Sequence, residues 1–145
     1  MPRIPQAVLD ELWAHANEDR EREACGFIHV LDGALTVHRV RNAAADGAGK
    51  WRYLMDSQEQ YEIEKERERT GAEVFAIYHS HVQSVAQPSE TDVRMAIWEL
   101  PEPIGRAAVY PDAYYIVVSL THEPRIRAWR IPLDGVPVEE PIEVS

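Results

Sequence analysis

The chain has 145 residues, and its 25 acidic against 15 basic side chains give a formal net charge of −10. Proteins that bind nucleic acid use a basic face to neutralise phosphates, so this charge argues against a nucleic-acid partner. Hydrophobic residues make up 45% of the chain, which is typical of a folded protein, and no stretch approaches the ~20 apolar residues that a membrane-spanning helix requires.

The length and the cysteine content bear on domain organisation and location. With no internal repeat and no long linker, we expect residues 1–145 to form a single domain. Residues 1–10 lack a basic start followed by a long apolar core, so no secretory signal is expected. Cys25 is the single cysteine and cannot form an internal disulfide. Together these features predict a cytoplasmic protein.

The first part of the chain predicts a helix followed by a hairpin. Apolar residues at helical spacing after Pro5 predict a first helix whose buried face contains Val8, Leu9, Leu12, Trp13 and Ala16. Strands are expected at 25–31 and 35–40, because Asp32-Gly33 between them is a hairpin turn signal. A short, aromatic strand is expected at 51–55.

A second helix is predicted between an N-cap at Asp56 or Ser57 and a stop at Gly71. Its body, residues 59–70, alternates Glu with Arg and Lys at spacings that allow ion pairs along the helix. This pattern is more typical of a solvated helix face than of a docking surface.

The second half of the chain predicts three more strands and a third helix. Strands are expected at 74–78, 113–120 and 126–131, the second buried on both faces and the third alternating in the manner of an edge strand. A helix is expected over 90–100, where the prolines that follow would end it. Strands and helices mixed within one short chain predict a layered α/β or α+β domain.

The residues that indicate chemistry lie between the fourth predicted strand and the third helix. His79 and His81 close the strand two residues apart, so both imidazoles point to one face while Ser80 points to the other. Asp92 falls in the first turn of the helix, from where it could supply an oxygen ligand. Two imidazoles and one carboxylate suit zinc and leave a coordination position open, which is typical of a catalytic site.

Simpler interpretations exist for each part of this pattern. Histidines two apart on a strand are often ordinary polar residues. Ser89 and Asp92 have the spacing of a capping box, which requires no function. The two interpretations are compatible, because a capped helix start would hold Asp92 and direct the positive end of the helix at the site.

A zinc hydrolase also needs a carboxylate beside its water, and spacing alone does not select it. The candidates are Glu18, Asp19, Glu21 and Glu23. Cys25 with a histidine could form a thiol nucleophile, but its place at an apolar strand start favours a small buried residue. The histidines without ligand spacing, interpreted as surface or packing residues, are His15, His29, His38 and His122.

The spacing of His79, His81, Ser89 and Asp92 resembles the signature of JAMM (also called MPN+) metalloproteases. Residues 23–27, Glu-Ala-Cys-Gly-Phe, resemble the Glu-x-Cys-Gly segment that opens the first strand of that family. The resemblance implies a three-layer α/β sandwich around a curved mixed sheet, related to the cytidine-deaminase fold. It also implies zinc-dependent hydrolysis of a peptide or isopeptide bond after the C-terminal tail of a ubiquitin-like protein.

The same resemblance implies a role for each motif residue. His79, His81 and Asp92 would bind one zinc ion per chain. Glu23 would be the general base that takes a proton from the attacking water and delivers it to the leaving amine. Ser89 would donate a hydrogen bond to the developing oxyanion.

Two segments depart from the family pattern. Val82 stands where the family usually has proline, and the loop 82–87 contains neither Pro nor Gly, which puts its shape and the fit of a substrate in question. Residues 98–111 are long for a compact bacterial member, and either a substrate-side flap or a surface excursion would explain them.

These features favour a peptidase that cuts after the C-terminal glycine of a small ubiquitin-like sulfur-carrier protein with a Gly-Gly tail. The released group would be cysteine or a short extension. The alternatives are an isopeptidase that removes ubiquitin-like modifiers from lysines, a non-catalytic scaffold of the same fold, and a non-hydrolytic metal binder. Family members are often dimers, so a homodimer is a further hypothesis.

Overall fold

The computed structural model describes residues 1–45 and 47–145. In chain order, its helices and strands are β1 (Arg3–Ile4), α1 (Gln6–Glu18), β2 (Cys25–Leu31), β3 (Ala34–Val40), α2 (Ser57–Thr70), β4 (Glu73–His81), α3 (Glu90–Ala96), β5 (Ile97–Glu99), β6 (Arg106–Ala108), β7 (Tyr114–Ser119), β8 (Ile126–Arg130), β9 (Val138–Glu140) and β10 (Glu143–Val144). A short 3₁₀ helix, Ala48–Lys50, lies between β3 and α2.

Among the described residues, six strands form the central sheet in the order β3-β2-β4-β7-β8-β9. β4 and β7 are parallel and the other neighbouring strands are antiparallel, so the sheet is mixed. α1 packs on one face, where Leu12 meets Tyr78. Ile63 of α2 and Val93 of α3 pack on the other face, against the core cluster that contains Ile77. The predicted three-layer α/β sandwich is therefore confirmed.

Local sequence signals account for the first half of the fold. Asp32 and Gly33 both have positive φ, at 50° and 80°, and close the β2–β3 hairpin. Asp56 caps α2 by accepting a hydrogen bond from the backbone N–H of Glu59, and Gly71 ends the helix with φ of 79°. α2 has no buried residue and carries ion pairs along its surface, as its sequence predicted.

The fourth predicted strand ends with the two histidines, as the sequence indicated. β4 continues through His81, and Cys25 at the start of β2 pairs with His79 near its end. On its other side His81 is in register with Ser119, the last residue of β7. The two histidines thus close a central strand that is held by a neighbour on each side.

Three predicted elements were wrong in type, length or position. Residues 51–55 are not a strand, and of them only Met55 forms an isolated bridge, to Asn42. The third helix ends at Ala96, because Ile97–Glu99 instead pairs with Arg106–Ala108. The segment 98–111 therefore contains a small hairpin.

The third error concerns β8. It was expected to be an edge strand, yet β9 pairs with it and takes the edge position. Arg127 of β8 forms an ion pair with Glu139 of β9, so the acidic C-terminal segment has a structural partner here. Within the described residues, no helix has both the length and the apolar character needed to cross a membrane.

Candidate metal centre

His79 and His81 lie side by side at the end of β4, and both are buried. Ser80 between them points to the opposite face, where its Oγ accepts a hydrogen bond of 2.7 Å from the backbone N–H of Ala24. The predicted alternation along the strand is thereby confirmed. Ser80 also ties the end of β4 to the residue that precedes β2.

Asp92 reaches the two histidines from the first turn of α3. Ser89 and Asp92 form a capping box: the Asp92 N–H donates to Ser89 Oγ at 3.1 Å, and the Ser89 N–H donates to Asp92 Oδ2 at 2.8 Å. Asp92 Oδ2 also lies 2.9 Å from His79 Nε2 and 3.1 Å from His81 Nε2. The cap therefore fixes the carboxylate in the position that a metal ligand requires.

The donor set fits one metal ion. The two Nε2 atoms are 3.1 Å apart and share Asp92 Oδ2 as a neighbour, so a single ion at about 2.0–2.2 Å could contact all three atoms. Burial acts to raise the pKa of Asp92, but His79 and His81 outweigh it and hold that pKa well below its usual range. His79, His81 and Asp92 are thus positioned, with an ionised carboxylate, to bind one metal ion.

The ring of His81 is oriented by the loop that follows it. His81 Nδ1 lies 2.8 Å from the carbonyl oxygen of Val85. Because a carbonyl can only accept, we assign the proton to Nδ1, which leaves the Nε2 lone pair free for a metal. The ring of His79 is instead covered by Tyr53, whose centroid lies 4.8 Å away at an interplanar angle of 29°.

The loop 82–87, which contains neither proline nor glycine, is held in place by hydrogen bonds from the central sheet. Ser119 Oγ donates to the carbonyl of Ser84 at 2.7 Å. The indole N–H of Trp129 donates to the carbonyl of Ala86 at 2.9 Å. Val82, which stands in the position of the family proline, is buried. β7 and β8 therefore hold the backbone on both sides of Val85, the residue that orients His81.

Glu23 lies near this cluster, two residues before the start of β2. It is 5% exposed, and its buried Oε1 has no hydrogen-bond partner among the described residues. Burial raises the pKa of Glu23 to about 8, with the charge of His81 opposing this shift and that of Asp92 adding to it. The other candidate carboxylates, Glu18, Asp19 and Glu21, are exposed. Among the four, Glu23 is the one with the burial and the electrostatic contact expected of an acid–base group.

Ser89 is exposed at the start of α3, beside Asp92. Its Oγ accepts the capping bond from Asp92, but a hydroxyl has one O–H donor in addition to its acceptor lone pairs. Capping therefore leaves the O–H of Ser89 free to donate to a substrate. The two sequence interpretations of Ser89 are compatible in this geometry.

Cys25 is unsuited to nucleophilic attack. It is fully buried, and burial, with a contribution from Glu23, raises the pKa of its thiol to about 12. Two of the other histidines have packing partners: His15 bonds the Tyr78 hydroxyl, and His29 is buried against the His38 ring.

Sequence reasoning missed two residues of this region, Tyr53 and Asn42. The aromatic character of 51–55 was the only signal for Tyr53, and it was interpreted as a strand. No sequence pattern pointed to Asn42, although its buried side-chain amide donates a hydrogen bond to the backbone carbonyl of Glu23. Both residues act through tertiary contacts that have no periodic pattern along the chain.

Comparison with known proteins identifies the fold and the family. Residues 5–132 match the family of prokaryotic homologues of the JAB domain. A solution structure of a protein from Desulfitobacterium hafniense is 26% identical, with a TM-score of 0.75 over 100% of this chain and 93% of that one. A JAB1/MPN domain protein from Archaeoglobus fulgidus, 15% identical, shares the fold with a TM-score of 0.57 over 100% of this chain and 97% of its own.

Three relatives with assigned names match in sequence. The CysO-cysteine peptidase of Mycobacterium tuberculosis is 32% identical over 94% of this chain and 86% of its own length. The desampylase of Haloferax volcanii is 34% identical over 61% of this chain and 68% of its own. A probable TtuB-protein conjugate cleaving protease of Thermus thermophilus is 31% identical over 68% and 65%, respectively. With its matching motif, fold and sequence, the chain belongs to the prokaryotic JAB family, the JAMM group that its signature indicated.

Proposed function

We propose that the protein is a zinc-dependent peptidase that hydrolyses the bond after the C-terminal glycine of a small ubiquitin-like sulfur-carrier protein. Cysteine or a short C-terminal extension would be released. The observation that carries the proposal is the buried group of His79, His81 and Asp92 with the buried carboxylate of Glu23 beside it. The similarity to a CysO-cysteine peptidase over 94% of the chain supports the substrate class.

We propose a separate role for each site residue. His79, His81 and Asp92 would hold a zinc ion, which would supply Lewis-acid polarisation and a stronger water nucleophile at neutral pH. Glu23 takes a proton from the attacking water on its unpartnered Oε1 and later returns it to the leaving amine. Ser89 donates its free O–H to the carbonyl oxygen as negative charge develops there.

An apolar cavity of about 180 Å³ next to the ligands offers a place for a side chain of the carrier tail. It is lined by Tyr53, which stacks on His79, and by Ile77, two residues before His79 on the same face of β4. Leu54 and Met95 line it as well and are exposed. Replacing Met95 by Glu would charge this cavity, so we expect a higher KM with an unchanged kcat in steady-state cleavage assays.

Mass spectrometry tests the proposed reaction directly. A carrier protein with cysteine joined to its terminal glycine is incubated with the zinc-loaded protein, and the proposal predicts conversion to the free carrier. Adducts of several carriers that all stay intact would contradict it. The chelated protein serves as the control for adventitious peptidases.

Isopeptide cleavage is the second candidate. It is favoured by the similarity to a desampylase and to a probable conjugate-cleaving protease. A competition assay separates the two activities, because an isopeptidase cuts a lysine-linked conjugate faster than a cysteine adduct. The scaffold alternative is disfavoured, since a protein that only holds partners has no need of a complete ligand set and a buried Glu23.

We further propose a cytoplasmic location, a single catalytic domain and a homodimeric assembly. A lone buried Cys25 is consistent with the reducing cytoplasm. We propose that residues 1–145 act as one catalytic domain. Assembly into a homodimer stays a prediction, which sedimentation velocity of the purified protein tests.

A further inference from the structure

Within the part of the chain that the structure describes, the buried Oε1 of Glu23 has no hydrogen-bond partner, whereas the backbone of this residue does. That backbone is held on both sides. The N–H of Glu23 donates to the carbonyl of Gly49 at 2.6 Å, and the carbonyl of Glu23 accepts from Asn42 Nδ2 at 3.1 Å. Gly49 and Asn42 both belong to the segment between β3 and α2. This segment therefore determines where Glu23 lies.

The amide of Asn42 organises that segment. Asn42 is only 9% exposed, and its Nδ2 also donates to the carbonyl of Arg52 at 3.1 Å. Its Oδ1 accepts from the backbone N–H groups of Ala44 and Leu54, both at 3.0 Å. An asparagine side chain offers two N–H donors and two acceptor lone pairs, and here both atoms are fully engaged with backbone.

The same amide fixes Tyr53 from both sides. Arg52 and Leu54 are the chain neighbours of Tyr53, and Asn42 bonds the carbonyl of one and the N–H of the other. The ring of Tyr53 stacks on the metal ligand His79. A single buried side chain thus connects the backbone of Glu23 to the residue that covers a metal ligand.

Arg22 also holds the segment between β3 and α2 in place. Its guanidinium donates to the carbonyls of Asn42 and Ala44, at 2.7 and 3.1 Å. It also packs on Gly49, where an added Cβ would lie only 2.5 Å from the guanidinium carbon. Gly49 therefore permits the close approach that anchors the segment beside Glu23.

We propose that Asn42 is a positioning residue, which sets the distance between the Glu23 carboxylate and the metal ligands by tying both Glu23 and Tyr53 to one amide. Asn42 is not one of the three metal-ligating residues, and its side chain bonds backbone groups. The inference rests on the proposed function for its kinetic consequence, but the structural tie exists independently of any substrate.

Asn42→Asp is the sharpest test, because it keeps the shape and the two acceptor contacts while removing both N–H donors. Asn17→Asp is the matched control: Asn17 lies on α1, where its Nδ2 bonds the Trp13 carbonyl. We expect Asn42→Asp to lower kcat by about tenfold to a hundredfold, since small misplacements of a reacting group have effects of this size. Both variants are assayed with zinc in excess, and equal zinc content in the two shows that the loss of kcat is not a loss of metal.

Amide exchange measured by NMR on the zinc-free protein gives a readout that needs no substrate. In Asn42→Asp the amide of Glu23 is expected to exchange faster, while the amides of β4 exchange as in the control. Arg22→Ala removes two hydrogen bonds to the same segment from a half-buried position, so the amide of Glu23 is expected to exchange faster in this variant as well. It replaces Asn42→Asp as the test if that variant does not fold.

The outcomes separate the two proposals. If the Asn42→Asp variant folds and its kcat and the exchange rate of its Glu23 amide are both unchanged, the proposed role of Asn42 is overturned. The role is also overturned if kcat falls only in proportion to the zinc content of the variant. If the wild-type protein cleaves no carrier adduct, the proposed function fails, and the exchange of the Glu23 amide still decides whether Asn42 holds Glu23.

Discussion

The ring of Tyr53 is stacked on the imidazole of His79, with the ring centroids 4.8 Å apart and the planes inclined at 29°. Tyr53 comes from an irregular segment and His79 from the central strand, so the contact joins two regions far apart in sequence. The Nδ1 of His79 is buried and has no hydrogen-bond partner among the described residues, so the stacked ring of Tyr53 adds support to an imidazole that is otherwise held through its Nε2.

Removing that ring should loosen the metal site. Tyr53→Leu keeps a buried apolar side chain but loses the stacked surface, so we expect zinc affinity to fall by about tenfold, a size typical of lost ligand support. Tyr53→Phe keeps the ring and is expected to bind zinc as the wild type does. Competition with a chelating indicator measures both. Equal affinity in the two variants would contradict the restraint.

Glu23→Gln tests the proposed general base. The substitution keeps the shape of the buried side chain but cannot accept the proton, so we expect kcat to fall by about 10²–10⁴-fold. Zinc content, measured by elemental analysis, is expected to stay at one per chain. Glu21→Gln is the control, because Glu21 is an exposed acid two residues away. A non-hydrolytic metal binder would show the same properties in both variants.

Ser89 has two roles that substitutions can separate. Ser89→Ala removes both the cap and the hydroxyl donor, so we expect a loss of about 0.5–2 kcal/mol in unfolding free energy. We also expect a decrease in kcat of about 10²–10³-fold. Ser89→Asp restores the capping acceptor without an O–H donor, so stability should recover while activity does not. Recovery of activity with Ser89→Asp would show that only the cap matters.

Acid should destabilise the protein through His29. Burial lowers the pKa of His29 to about 4 from 6.5, with His38 and Arg67 acting in the same direction and Glu64 opposing them. Because the unfolded state takes up the proton first, stability contributed by neutral His29 is complete above pH 6.5 and is lost as the pH falls towards 4.

Urea denaturation at pH 7 and pH 4 measures this effect. We expect His29→Gln to lose less stability between the two pH values than the wild type, by about 1–3 kcal/mol. His122→Gln, at an exposed position, is expected to behave as the wild type. An identical acid dependence in His29→Gln would place the sensitive group elsewhere.

The sequence predicted the ligand set because its parts are local. His79 and His81 reveal a shared face through strand alternation, and Asp92 reveals a helix start through its capping spacing. Glu23 could be selected only through the family resemblance, since spacing left three other acids open. Its burial, which distinguishes it from the three, exists only in the folded chain.

The remaining features depend on contacts between distant parts of the chain, so the local sequence could not predict them. The alternation in residues 126–131 indicates that one face of this strand is solvated. Whether the strand lies at the edge of the sheet depends on whether another strand pairs with it, and residues 138–140 do so. The end of α3 is set by the pairing of 97–99 with 106–108 rather than by a helix-breaking residue. A single Asn42 after a strand gives the same sequence signal whether its amide contacts water or, as here, the carbonyls of Glu23, Gly49 and Arg52 and the N–H groups of Ala44 and Leu54.

The three metal ligands all lie within residues 79–92, whereas Glu23 reaches them from a separate part of the chain through the Asn42 segment. The ligand set and the proposed general base can therefore change independently of each other. A descendant of this protein could become a metal-stabilised adaptor by altering residues near position 23 alone, and the reverse change could restore hydrolysis without rebuilding the ion site.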